Sequence, residues 1–137
     1  MRPLRLELGG FARFRERQVI SFEDLELFAI SGPTGAGKTL ILDALSFALY
    51  GVTPRLSQKL DGLISSGSDR LLVDLQFEAG AGTFRVTRTM ERKPNSVAKS
   101  TRIERLEQGR WLREAETEKL SEADRRLREI VGFDFAA

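Results

Sequence analysis

Residues 31–39 read Ser-Gly-Pro-Thr-Gly-Ala-Gly-Lys-Thr, and side chains of these types in this order suit the holding of a phosphate chain. Gly32, Gly37, Lys38 and Thr39 fill every fixed position of the spacing G-x-x-x-x-G-K-[ST]. Glycine has no Cβ and admits positive φ, so successive backbone N–H groups turn inward around an anion. A helix beginning near Gly37 adds its unpaired N–H groups and the positive end of its dipole. Lys38 is placed to reach β- and γ-phosphates. Thr39 offers a hydroxyl to Mg²⁺, which takes water and phosphate oxygens as its other ligands. The spacing therefore predicts a nucleotide cradle made of Gly32, Pro33, Thr34, Gly35, Ala36, Gly37, Lys38, Thr39 and Leu40.

Other chemistries find less material. The chain of 137 residues has no Cys and no His, which removes thiol nucleophiles, disulfides and the commonest general base and metal ligand. No clustered Asp supplies a two-metal nuclease site. Its one Asn is Asn95, so the Asn-Lys-x-Asp motif of a small GTPase is missing. "LLVD" (71–74) has the look of a metal-binding strand end, but the alternation runs on through Leu75, Gln76, Phe77 and Glu78. That pattern predicts a half-exposed antiparallel strand with Asp74 and Glu78 facing water. Asp43, four residues after Thr39, shares its helical face; it reads as a helix carboxylate paired with a nearby base, against the alternative that it helps order the phosphate site.

The elements that would position the cradle follow from periodicity. "LRLELGGF" alternates as a strand, and "RQVISF" (17–22) reads as its hairpin partner. "LELFAIS" (25–31) is a more apolar run, as a buried strand requires. "KTLILDALSFALYG" (38–51) is a helix apolar on nearly all sides, ended by Gly51 and expected to be buried on several faces. Residues 52–70 read as a long loop with a short helical piece. Residues 71–92 form a hairpin around "AGAG", 93–100 a mobile loop, and 101–112 a second hairpin around Gln108-Gly109. In 117–133, Leu120, Ala123, Leu127, Ile130 and Val131 share one helical face, with Thr117 as N-cap and Gly132 as stop.

Net charge is only +2, with 41% apolar and 31% charged residues, so any nucleic-acid affinity must be local. Residues 85–113 carry nine basic and three acidic side chains. Arg88, Lys99, Arg102, Arg105 and Arg110 are the candidates for DNA phosphates, weighed against a solvated sheet edge guarded by charge. Trp111 reads as a packing residue. No run approaches the roughly eighteen apolar residues of a membrane span, and a cytoplasmic protein is expected.

"LRLELGGFARFRERQVISF", "LFAISGPTGAGKTLILDALSFALYG", "TPRL", "LLVDLQFEAGAGTFRVTRTMER" and "LREIVGFDF" occur in that order. Together they resemble the N-terminal ATPase half of the SbcC/Rad50 family, the DNA-repair branch of the SMC-like ABC ATPases, with bacterial SbcC nearest. The resemblance implies an α/β P-loop NTPase fold: an ABC-ATPase-like N-terminal lobe with a mixed sheet around the P-loop helix, plus an antiparallel sheet. It implies that residues 1–137 are one half of an ATPase head, stopping before the glutamine loop. No Cys-x-x-Cys hook, signature motif or long heptad region is present. The cofactors implied are ATP and Mg²⁺, the latter on Thr39. The partners implied are the chain's own C-terminal half, a second SbcC-like subunit, an SbcD/Mre11-type nuclease and double-stranded DNA. Family members use an Arg near the nucleotide after the first strand. Here that slot is Ala12 with Arg13 beside it, and Arg13 stands open between nucleotide contact and surface arginine. A RecF- or RecN-like repair ATPase and a non-hydrolysing nucleotide- or DNA-tethering module are the alternatives.

Overall fold

The computed structural model describes residues 1–12, 14–22, 35–51, 60–80, 82–117 and 120–132. Six strands, β1 (Arg2–Gly9), β2 (Gln18–Ser21), β3 (Arg70–Ala79), β4 (Gly82–Arg92), β5 (Val97–Glu107) and β6 (Arg110–Thr117), form one sheet in the order β2-β1-β3-β4-β5-β6. Every neighbouring pair in it is antiparallel. Helix α1 (Gly35–Tyr50) packs on β3 and β4, and α2 (Leu120–Val131) packs on β5, β6 and α1.

The alternation read in the sequence decides which face is covered. Leu6 and Leu8, then Leu71, Val73, Leu75 and Phe77, then Phe84, Val86 and Met90 are buried on one face with Ala44, Phe47, Ala48, Ala123 and Leu127 of the helices. Phe77 stacks on Phe84 with ring centroids 5.9 Å apart. The three hairpins expected at β1–β2, β3–β4 and β5–β6 are present in register. Gln108 and Gly109 both take positive φ at the β5–β6 turn, as a two-residue hairpin loop requires. The helical piece expected within 52–70 is a 3₁₀ turn, Leu60–Leu63. Residues 52–59 lie outside the described residues.

Three expectations change, and a fourth is not reached by the described residues. Residues 97–100 are not loop: β5 begins at Val97, paired with Arg92, and only 93–96 turn, closed by Lys93 N–H donating to Ser96 O at 2.8 Å. Thr117 does not cap α2; it ends β6 opposite Thr101, and α2 starts at Leu120. Helix α1 starts at Gly35, two residues ahead of Gly37. It is buried on one side, with Leu42 48% exposed on another. The sheet described is wholly antiparallel; the apolar run 25–31, on which a mixed sheet around α1 depended, lies outside the described residues.

Candidate functional site: the head of helix α1 and its supports

Gly35, Ala36, Gly37, Lys38, Thr39 and Leu40 form the first turns of α1; Gly32, Pro33, Thr34 and Arg13 lie outside the described residues. The first turn of a helix offers N–H groups with no partner inside the helix. No acidic residue stands in this turn to neutralise them, so the donor set suits an anion and not a cation. Asp43, one turn further on, is 4% exposed. Among the described residues no group of three or more Asp or Glu is placed to hold a metal ion.

The far end of α1 is anchored by an arginine. Arg88 of β4 shares the inward parity of Phe84, Val86 and Met90, and it is 3% exposed. Its Nε donates to Ala48 O at 2.8 Å, its Nη1 to Thr101 Oγ1 at 3.1 Å and its Nη2 to Asp124 Oδ1 at 2.7 Å. Ala48 is in the last turn of α1, where carbonyls lack helical partners and the dipole is negative, so a cation there satisfies both needs. Burial lowers the pKa of the guanidinium and Asp124 works in the opposite direction; an arginine remains charged regardless. Gly51 stops the helix with φ +76, and its N–H donates to Phe47 O at 2.8 Å. A Cβ there would lie 3.1 Å from Arg88 Nη1.

The segment after β1 is held by the 3₁₀ turn. Ala12 N–H donates to Leu63 O at 2.6 Å, and Ser65 Oγ donates to Ala12 O at 2.7 Å. Gly10 has φ +63 and a Cβ there would come within 2.0 Å of Arg70 O, so only glycine fits. Arg15 is fixed by donating to Ser66 O from Nε (3.1 Å) and Nη2 (2.5 Å). Arg15, Arg17 and Arg70 line an open hollow of about 390 Å³ beside Gly9 and Gly10. These arginines are scattered along the sequence and meet only where the turn after β1 runs beside the start of β3, which no local pattern announces.

The opposite face of the sheet is polar yet partly closed. Asp74 does not face open water as the alternation suggested: its side chain is 13% exposed, because β1 and β4 flank it with Glu7 and Thr87. Thr87 Oγ1 donates to Asp74 Oδ2 at 2.9 Å, while Asp74 Oδ1 is buried with no hydrogen-bond partner. Burial raises the Asp74 pKa, against the Thr87 hydrogen bond and the charge of Arg85. Arg85 donates to Glu104 Oε1 from Nε (2.9 Å) and Nη2 (2.8 Å) and lies 4.8 Å over the Trp111 ring. Glu7 accepts from Arg17, which lowers its pKa.

Residues 5–134 match the family described as AAA domain. The chain belongs to that family of P-loop ATPases, in its SbcC/Rad50 branch. It is 47% identical to the SbcC component of the nuclease SbcCD of Deinococcus radiodurans, over 98% of this chain and 15% of that protein. It is 37% identical to a probable DNA double-strand break repair Rad50 ATPase of Aquifex aeolicus, over 98% of this chain and 13% of that one. The corresponding SbcCD component of Bacillus subtilis shares 33%, over 97% and 12%. The chain thus spans about one seventh of the length of the relatives it matches.

The basic residues singled out in this SbcC/Rad50 relative do not form one patch. Arg88 is buried and its donors are spent inside the fold, so it is not available to a surface ligand. Arg102 is exposed on the polar face, opposite Thr87. Arg105 stands opposite Phe84 on the helix side, exposed, and is hydrogen-bonded to Glu107. Arg110 is exposed opposite Glu107. Lys99 is half-buried, beside Arg88 and Asp124. Among the described residues, no helix is long and apolar enough to cross a membrane.

Proposed function

We propose that this chain is the nucleotide-binding half of an ATPase head that serves DNA double-strand-break repair. One observation carries the reading: a complete phosphate-loop spacing stands at the head of α1, whose first turn holds no acid. The names of the relatives supply the setting. Residues 32–40 hold ATP, Lys38 serves the outer phosphates and Thr39 serves Mg²⁺, which supplies charge neutralisation between the phosphates when bound. Arg13, beside Ala12 in the family's arginine slot, is the nearest arginine able to take that role. The site is completed by a C-terminal half of the same protein and by a second subunit. The assembly works in the cytoplasm with an SbcD/Mre11-type nuclease on double-stranded DNA. Exposed Arg105 and Arg110, with Lys99 of the same face of β5 and β6, supply phosphate contacts that carry no base information, and Arg102 on the opposite face stands apart from them.

The test is Mg²⁺- and DNA-dependent ATP turnover by the full chain with its nuclease partner. Turnover lost in Lys38→Ala supports the reading; turnover unchanged in that variant contradicts it. For the DNA surface, Arg105→Glu with Arg110→Glu is expected to weaken binding and to flatten its dependence on salt by about two phosphate contacts. An unchanged slope assigns these arginines to solvent.

A further inference from the structure

Three elements meet on Arg88, and one of them is the phosphate helix. α1 has 16 residues, so its head and the Ala48 carbonyl belong to one rod about 24 Å long. The rod's last turn is bonded to Arg88 Nε, and the same guanidinium is bonded to Thr101 of β5 and Asp124 of α2. A shift of α1 along its axis must carry Arg88 with it or break a buried charge-assisted bond. Such a bond lies almost wholly out of bulk solvent, because Arg88 is 3% exposed. The Asp124 side chain is 29% exposed, so the outer link is the more easily broken one. A cavity of about 40 Å³, lined by Phe47, Gly51, Lys99, Thr101, Asp124 and Arg88, lies against the guanidinium. It gives the group room for a second arrangement, which close packing elsewhere in the core denies.

We propose that Arg88 and Asp124 form the link through which phosphate binding at the head of α1 is felt by α2. The proposal rests on the nucleotide reading above. Arg88 is a positioning residue: it touches no ligand, and it acts through the helix that does. Its fork of donors suits it to the task, since a lysine ammonium cannot reach Ala48 O, Thr101 Oγ1 and Asp124 Oδ1 at once.

The test is amide hydrogen exchange of the full chain with and without Mg-ATP, with binding followed in parallel by calorimetry. In the natural protein, Mg-ATP is expected to slow exchange of the α2 amides about fivefold or more, the lower end of ordinary coupling factors. In Asp124→Asn, ATP still binds and α2 no longer responds, while Asp124→Glu regains part of the response. A residue that merely pins the fold would lower the unfolding temperature of these variants and leave the ATP-dependent change in α2 intact. That result overturns the link, as does an α2 that ignores ATP in the natural protein although calorimetry records binding. No heat of binding in the natural protein overturns the nucleotide reading and the link with it, and calorimetry tells that failure apart. Should Asp124→Asn not fold, Arg88→Lys is read in its place with the same two outcomes.

Discussion

Arg85 and Arg88 stand three residues apart on β4 and point to opposite faces of the sheet. Arg88 enters the apolar side, where every donor it uses meets an acceptor from a different element. Arg85 lies on the polar side, 25% exposed, within a chain of charges that runs through Asp74 and Glu104 to the Trp111 ring. The first arginine ties helices to the sheet; the second ties strands to one another. The difference teaches where a charge is costly to remove. A buried ion whose partner is deleted leaves an uncompensated charge, at about 3–5 kcal/mol. A partly exposed one leaves groups that water can reach.

That contrast can be broken in order of expected size. Arg88→Met should cost about 2–4 kcal/mol, because it leaves Ala48 O and Thr101 Oγ1 without their donor and Asp124 without its partner, and Arg85→Met about 1–2 kcal/mol, read from urea unfolding of both variants; equal costs would erase the distinction between the faces. Gly51→Ala should cost about 1–2 kcal/mol, since alanine is strained at φ +76 and its Cβ meets the Arg88 guanidinium. An unchanged midpoint would mean that the guanidinium moves aside freely.

Smaller and opposite effects are expected from two carboxylates that face each other across β1 and β3, Glu7 and Asp74. Burial raises the folded-state pKa of Asp74, so its ionised form is held less comfortably in the fold than in the unfolded chain. The penalty is present above the raised value and fades as pH falls through it toward the ordinary carboxylate value. Asp74→Asn should therefore gain up to about 1 kcal/mol at neutral pH and nothing in acid. The pKa of Glu7 is lowered by its Arg17 hydrogen bond, so its contribution is present at neutral pH and is lost as pH falls through that lowered value. Glu7→Gln should cost about 0.5–1 kcal/mol at neutral pH and less in acid. Thermal unfolding across pH checks both, and same-sign curves would refute the assignment of cause.

Much of this fold was legible as alternation. Leu71 to Phe77 and Phe84 to Met90 announced the central hairpin, and the stripe Ala123, Leu127, Ile130 announced α2. Arg88 occupies an inward position in the same alternation, so its parity with Val86 and Met90 marks it as buried where its charge alone suggests a DNA contact. Val97 to Ser100 looked like loop because Ala98, Lys99 and Ser100 have no strand character of their own. They are strand because β4 offers unpaired backbone groups out to Arg92. Thr117 is strand for the same reason, by pairing with Thr101. Asp74 looked exposed since a lone strand cannot say how tightly its neighbours close over it. The phosphate cradle is read from spacing alone, because backbone geometry fixes where glycine, lysine and threonine must stand; of it the structure describes the backbone of residues 35–40 as the head of α1.

The central claim is that residues 32–40 bind the phosphates of Mg-ATP. Calorimetric titration of Mg-ATP into the full chain, natural and Lys38→Ala, with the unfolding temperature of each, tests it most directly. The account predicts saturable binding in the natural protein, and an affinity at least about tenfold weaker in a variant that unfolds at the same temperature. Equal affinity in the two proteins would contradict it.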